Sequence, residues 1–181
     1  MIFTEGRLQF DFNDHHWSHV IKFDDNQHYK KISDRVQNTK GVDFIGILNK
    51  TQLVAIEVKD FRGARDSENE RLPELPTEIA QKVLGTLATI LSGCSADGSR
   101  ETWGEYEKLI NRPDSRKSIK IIFWYESDSA NTAQNTLRIR RGNVNDLLKN
   151  KLSWLNCRSV VTNLSSFRSD EWNFHVTSVN R

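Results

Sequence analysis

By type and spacing, the residues of this chain best suited to chemistry are Asp43, Glu57 and Lys59. They lie on two β-rich runs, Val42–Leu48 and Gln52–Val58, separated by Asn49-Lys50-Thr51, a hairpin signal. Period-2 alternation places Glu57 and Lys59 on one face of the second strand. Whether Asp43 joins them depends on the parity of the turn. With a three-residue loop, Leu48 opposes Gln52 and Asp43 falls opposite Glu57. With a two-residue loop, Asp43 turns to the other face, because a slip of one residue flips every side chain. The second strand is otherwise made of Leu53, Val54, Ala55, Ile56 and Val58, where a charged pair is costly unless partnered. That cost is the physical reason to suspect function there. The competing account is a Glu-x-Lys pair at the exposed end of a strand, with no chemical role.

Two carboxylates, with the Val58 carbonyl, supply the hard oxygen ligands that Mg²⁺ prefers, and Mn²⁺ could substitute. A cation held there lowers the pKa of a bound water and offsets charge on a phosphodiester. Lys59 could position the attacking water or stabilise the developing negative charge.

Gly41-Val42-Asp43-Phe44 and Ile56-Glu57-Val58-Lys59, followed by an amphipathic helix, resemble the motif of the PD-(D/E)XK phosphodiesterase superfamily. The resemblance covers about residues 40–92 and extends over the remainder only in element order. It implies a restriction-endonuclease-like fold: α/β, with a central mixed β-sheet flanked by helices. It also implies metal-dependent cleavage of nucleic acid, with DNA ranked ahead of RNA. Asp43 and Glu57 would then be metal ligands, and Lys59 the catalytic base or stabiliser. Val42 stands where the family name has Pro. Many members add a Gln-x-x-x-Tyr pattern on the following helix; here Gln81 is followed by Gly85, which makes Gln81 a weaker candidate. Glu5 is the obvious acidic residue upstream, but it precedes a strand rather than lying in a helix and is not expected in the site.

The elements that must position these residues follow from periodicity. Leu8–Phe12 alternates and reads as a strand; Trp17–Phe23 reads as a second, paired antiparallel to it across the Asn13–His16 turn. His28–Ser33 is a short helical turn. Both hairpin runs are almost continuously apolar, as in a sheet covered on both faces. A helix is expected from Pro76 to about Leu91, with Ile79, Ala80, Val83, Leu84, Leu87, Ile90 and Leu91 on its apolar face and Gly93 as its stop. Trp103–Ile110 and Val144–Leu155 read as helices. Ser118–Tyr125, Ser159–Thr162 and Trp172–Val179 read as strands. Together they predict one domain over residues 1–181.

Composition bounds the function classes. Of 181 residues, 26 are Lys or Arg and 24 Asp or Glu, a net charge of +2, which argues against coating nucleic acid through bulk charge. Five Trp and nine Phe exclude a disordered tail. No apolar run approaches the roughly 18–20 residues of a spanning helix, so no membrane association is expected. The N-terminus lacks a secretory signal, and Cys94 and Cys157 read as reduced thiols, which together predict a cytoplasmic protein. His15, His16 and His19 are better explained as a solvated turn than as a metal site.

Arg62 and Arg65 beyond the motif strand, and Lys82 on the helix, could contact phosphates. Arg138, Arg140 and Arg141 lie in a basic stretch that could track a nucleic-acid backbone. Trp17 could be exposed for base stacking, whereas Trp103, Trp124, Trp154 and Trp172 read as core or core-rim residues. Dimerisation would suit a double-strand cutter. The rival is a module that keeps the fold without turnover and binds nucleic acid or a protein.

Overall fold

A computed structural model of the chain describes residues 1–63, 73–94, 100–111, 118–127 and 134–179, with side chains for all of these except 100–102 and 134–141. The chain opens with β1 (Ile2–Glu5) and β2 (Leu8–Phe12), joined by a tight turn in which Gly6 takes φ +56°. There follow β3 (Trp17–Lys22), α1 (Gln27–Ser33), β4 (Phe44–Leu48) and β5 (Gln52–Asp60). The remaining elements are α2 (Leu75–Cys94), α3 (Arg100–Ile110), β6 (Ile119–Glu126), α4 (Gln134–Lys151), β7 (Cys157–Thr162), α5 (Ser169–Trp172) and β8 (Phe174–Ser178).

Two sheets form. The larger is mixed, in the order β3-β4-β5-β6-β7, antiparallel from β3 to β5 and parallel from β5 to β7. The smaller, β1-β2-β8, is antiparallel. Alternation on the central strands explains the layering. Phe44, Val54, Ile56, Ile122 and Trp124 pack with Phe10, Phe12 and Phe174 of the small sheet. Their neighbours Ile45, Ala55, Ile121 and Phe123 pack with Val83, Leu87, Trp103, Tyr106 and Leu148 of the helices. The result is an α/β fold whose mixed sheet is covered by helices on one face and by a second sheet on the other. The nearly unbroken apolar runs of β4 and β5 are the sequence mark of that double burial.

Several expectations are corrected. Strands β2 and β3 are not partners: β2 pairs with β1 and β8, and β3 pairs with β4. Trp17 is buried rather than exposed, its indole N–H donating to the Trp172 carbonyl at 2.8 Å. Trp154, expected at the core, is 54% exposed. The last strand begins at Phe174, because Ser169–Trp172 form a short helix. Helix α4 begins ten residues before Val144, at Gln134, and ends at Lys151.

Helix α2 runs through Gly93 to Cys94, and Leu84 and Leu91 on it are exposed. Thr86 and Thr89 occupy buried positions instead, because their hydroxyls donate to carbonyls one turn back. Gly85 permits the close approach of α2 to the segment entering β4: a Cβ there would sit 2.1 Å from the Lys40 carbonyl oxygen. Thr86 Oγ1 accepts the Val42 N–H at 3.0 Å, pinning the same crossing. No helix among the described residues is long and apolar enough to cross a membrane.

Candidate active site

The hairpin sets the phase. Leu48 pairs with Gln52 and Phe44 with Ile56, so Asn49, Lys50 and Thr51 form a three-residue connection. Asn49 (φ 50°) and Lys50 (φ 58°) are both left-handed, and Thr51 N–H donates to the Leu48 carbonyl at 3.2 Å. One residue before Phe44, Asp43 therefore comes level with Glu57. Its Oδ2 accepts the Val58 N–H at 2.6 Å. Asp43, Glu57 and Lys59 all face the helical layer, at the end of the hairpin remote from its turn.

Glu57 is fully buried. Lys82, from α2, donates to its Oε2 at 2.8 Å and lies 2.7 Å from Oε1 and 3.8 Å from Asp43 Oδ1. The Lys59 ammonium lies 3.1 Å from Glu57 Oε1 and donates to Glu78 Oε1 at 3.1 Å. Glu78 and Lys82 are four residues apart on α2, so one helix face delivers both.

A second set of acids meets Asp43 from other elements. Glu5 closes β1, Asp24 follows β3, and carboxylate oxygens of Glu5, Asp24 and Asp43 all lie within 4.8 Å of one another. Lys22 lies 2.9 Å from Glu5 Oε2 and its pKa is raised, chiefly by that contact. Asp24 Oδ1 is buried without a hydrogen-bond partner among the described residues. Among the described residues, five carboxylates (Glu5, Asp24, Asp43, Glu57 and Glu78) thus meet three lysines (Lys22, Lys59 and Lys82).

The protonation equilibria reflect this crowding of buried acids. Burial, reinforced by the Glu57 charge, pushes Asp43 up to about 7 against the opposing pull of Lys82 and the Val58 N–H. Asp24 is also raised, first by burial and then by Asp25 and Glu5. Burial alone would depress Lys82, but Glu57 and Asp43 override it and raise its pKa.

These residues fit a hard divalent cation. Three carboxylates converge from three strand ends, and two of them, Glu5 and Asp24, carry a buried oxygen without a hydrogen-bond partner among the described residues. Glu5, Asp24 and Asp43 would hold it, with Glu57 alongside, tied to its two lysines.

The other sequence candidates sit elsewhere. Arg62 donates to Asp60 Oδ1 and Oδ2 at 2.8 and 2.7 Å, and Arg7 donates to the same carboxylate, joining the β1–β2 turn to the end of β5. Burial would raise Asp60, but these hydrogen bonds hold it below its ordinary value. Gln81 is exposed and lines a groove between α1 and α2, apart from Glu57. Arg138, Arg140 and Arg141 fall on α4, but their side chains lie outside the described residues, as does Arg65 altogether. His15 and His16 are exposed and take no part in the acid cluster.

Reasoning from sequence missed Asp24, Glu78 and the inward turn of Lys82, and set Glu5 aside. Only Glu78 carried a local signal, its i, i+4 spacing to Lys82. Set against known proteins, the chain matches no family model, no curated protein and no solved structure.

Proposed function

We propose that the protein is a metal-dependent nuclease of the PD-(D/E)XK type, hydrolysing phosphodiester bonds of nucleic acid, with DNA ranked ahead of RNA. The observation that carries this reading is the convergence of Asp43, Glu57 and Lys59 on one buried sheet face, where Glu5 and Asp24 add further carboxylates. The mixed sheet with helices on the site's face is consistent with a restriction-endonuclease-like fold.

Bound among Glu5, Asp24 and Asp43, Mg²⁺ or Mn²⁺ would supply Lewis acidity that activates water and offsets phosphate charge. The Val58 N–H fixes the Asp43 carboxylate, so that oxygen need not reorganise on binding. Lys59, held between Glu57 and Glu78, presents a positive charge beside the acids and is suited to stabilising negative charge on the reacting phosphate. Lys82 pairs with Glu57 and offsets its buried charge.

One feature favours the silent module instead: two lysines already neutralise Glu57 without any metal. Cleavage of plasmid, linear and single-stranded DNA and of RNA, with Mg²⁺ or Mn²⁺ and beside EDTA controls, separates the two. Metal-dependent cutting that is lost in Glu57→Ala and Lys59→Ala supports the nuclease. No cutting of any substrate by the folded, metal-supplied protein overturns it.

A further inference from the structure

A groove lies not over the acid cluster but beside it. It lies between α1 with the segment that follows it and the outer face of α2, with a volume of about 920 Å³. Its floor is aliphatic: Ile32, Val36, Leu84 and Ala88, with Val36 56% and Leu84 55% exposed. Gln37, Asn38 and Gln81 line it with amides, and no acidic residue is among its lining. Lys40 lines the groove, is exposed and has no ion-pair partner among the described residues. Residues 27–40 carry four Lys or Arg against Asp34 alone.

The groove shares α2 and the segment entering β4 with the chemistry. Gln81 adjoins Lys82, whose ammonium is 2.7 Å from Glu57. Lys40 stands three residues before Asp43, at the point where Gly85 lets α2 touch the chain.

Resting on the nuclease reading, we propose that this groove holds an unpaired nucleic-acid strand and feeds it to the acid cluster. An exposed lysine beside an apolar floor, on a segment of basic balance, is complementary to a single strand, whose phosphates and base faces are both accessible. A duplex hides its base faces in the stack and offers the aliphatic floor nothing. The amides can meet the exposed base edges.

The test is binding of a short fluorescent single strand, as DNA and as RNA, and of the matching blunt duplex, by anisotropy. The full chain is used in EDTA, so that nothing is cut. The single strand should bind more tightly than the duplex. Leu84→Glu and Lys40→Glu should each weaken it at least about tenfold, and Lys40→Glu should lower the salt slope by about one. Leu147→Glu, a comparably exposed leucine on α4, should leave binding unchanged.

Equal binding of duplex and single strand, indifference to both groove variants, or loss only in Leu147→Glu would each overturn the proposal. So would light scattering showing a dimer that Leu84→Glu dissociates, which would assign the groove to a second copy. Leu84→Gln is the milder variant if the charge disturbs folding. Because cutting plays no part in the readout, a failed cleavage assay would remove the nuclease reading and leave this result standing.

Discussion

Asp43 is the residue on which the site turns, since it touches both sets of charges. Its pKa, about 7 against an ordinary 3.8, means that the folded chain binds a proton more tightly there than the unfolded chain does. The sign follows: the associated stability is fully present below about pH 4 and is lost as pH rises toward about 7. In EDTA, thermal melts of the wild type should therefore show this loss across that window. Asp43→Asn, which cannot titrate, should lack it, and the difference between the two proteins cancels other groups. Equal pH profiles for both would show that Asp43 is not the proton-binding group.

Lys59 makes a separate test. It touches carboxylates but stands outside the Glu5–Asp24–Asp43 set. Lys59→Ala should lower cleavage by about 10²–10⁴-fold, the usual worth of one positioned catalytic group, while Mn²⁺ still binds. Electron paramagnetic resonance of Mn²⁺ reads the binding, and its loss in Lys59→Ala would mean that the lysine organises the acids.

At the scale of elements, the crossing of α2 over the segment before β4 governs the geometry. Gly85 leaves room for the Lys40 carbonyl, Thr86 holds the Val42 N–H, and Lys82 reaches Glu57 from the turn between Glu78 and Thr86. Gly85→Ala would drive a methyl group into backbone that cannot move aside as a side chain does. A destabilisation of about 1–3 kcal/mol is expected, read from urea denaturation. The same variant should weaken Mn²⁺ binding, because Asp43 lies only three residues from the clash. Unchanged stability would show that α2 can shift freely, and the crossing would then not be what sets the site.

For the whole molecule, the convergence of Glu5, Asp24 and Asp43 predicts linkage between cation binding and folding. A cation that binds only the folded state stabilises it by about 2.7 kcal/mol at 100 times its dissociation constant. For a chain of this size that corresponds to a rise in Tm of roughly 5–10 °C. Mn²⁺ should produce such a rise in the wild type and none in Asp43→Asn, by differential scanning calorimetry. The small sheet takes part in this linkage: β1 carries Glu5, and the Arg7–Asp60 hydrogen bonds fasten its first turn to β5.

Local pattern in the sequence was enough to place the hairpin, the common face of Glu57 and Lys59, most of α2, and the parity condition for Asp43. Each of these depends on alternation or on the 3.6-residue period, which a chain carries within a few residues. The tertiary structure alone decided the rest. It separated β2 and β3 into different sheets, buried Trp17 against Trp172, turned Lys82 inward, and brought Glu5 and Asp24 to Asp43. Glu5 and Asp24 are far apart in sequence and sit at strand ends, where periodicity specifies no neighbour. Their meeting depends on how a second sheet packs over the first, a choice made by the whole aromatic layer between them rather than by any local run of residues.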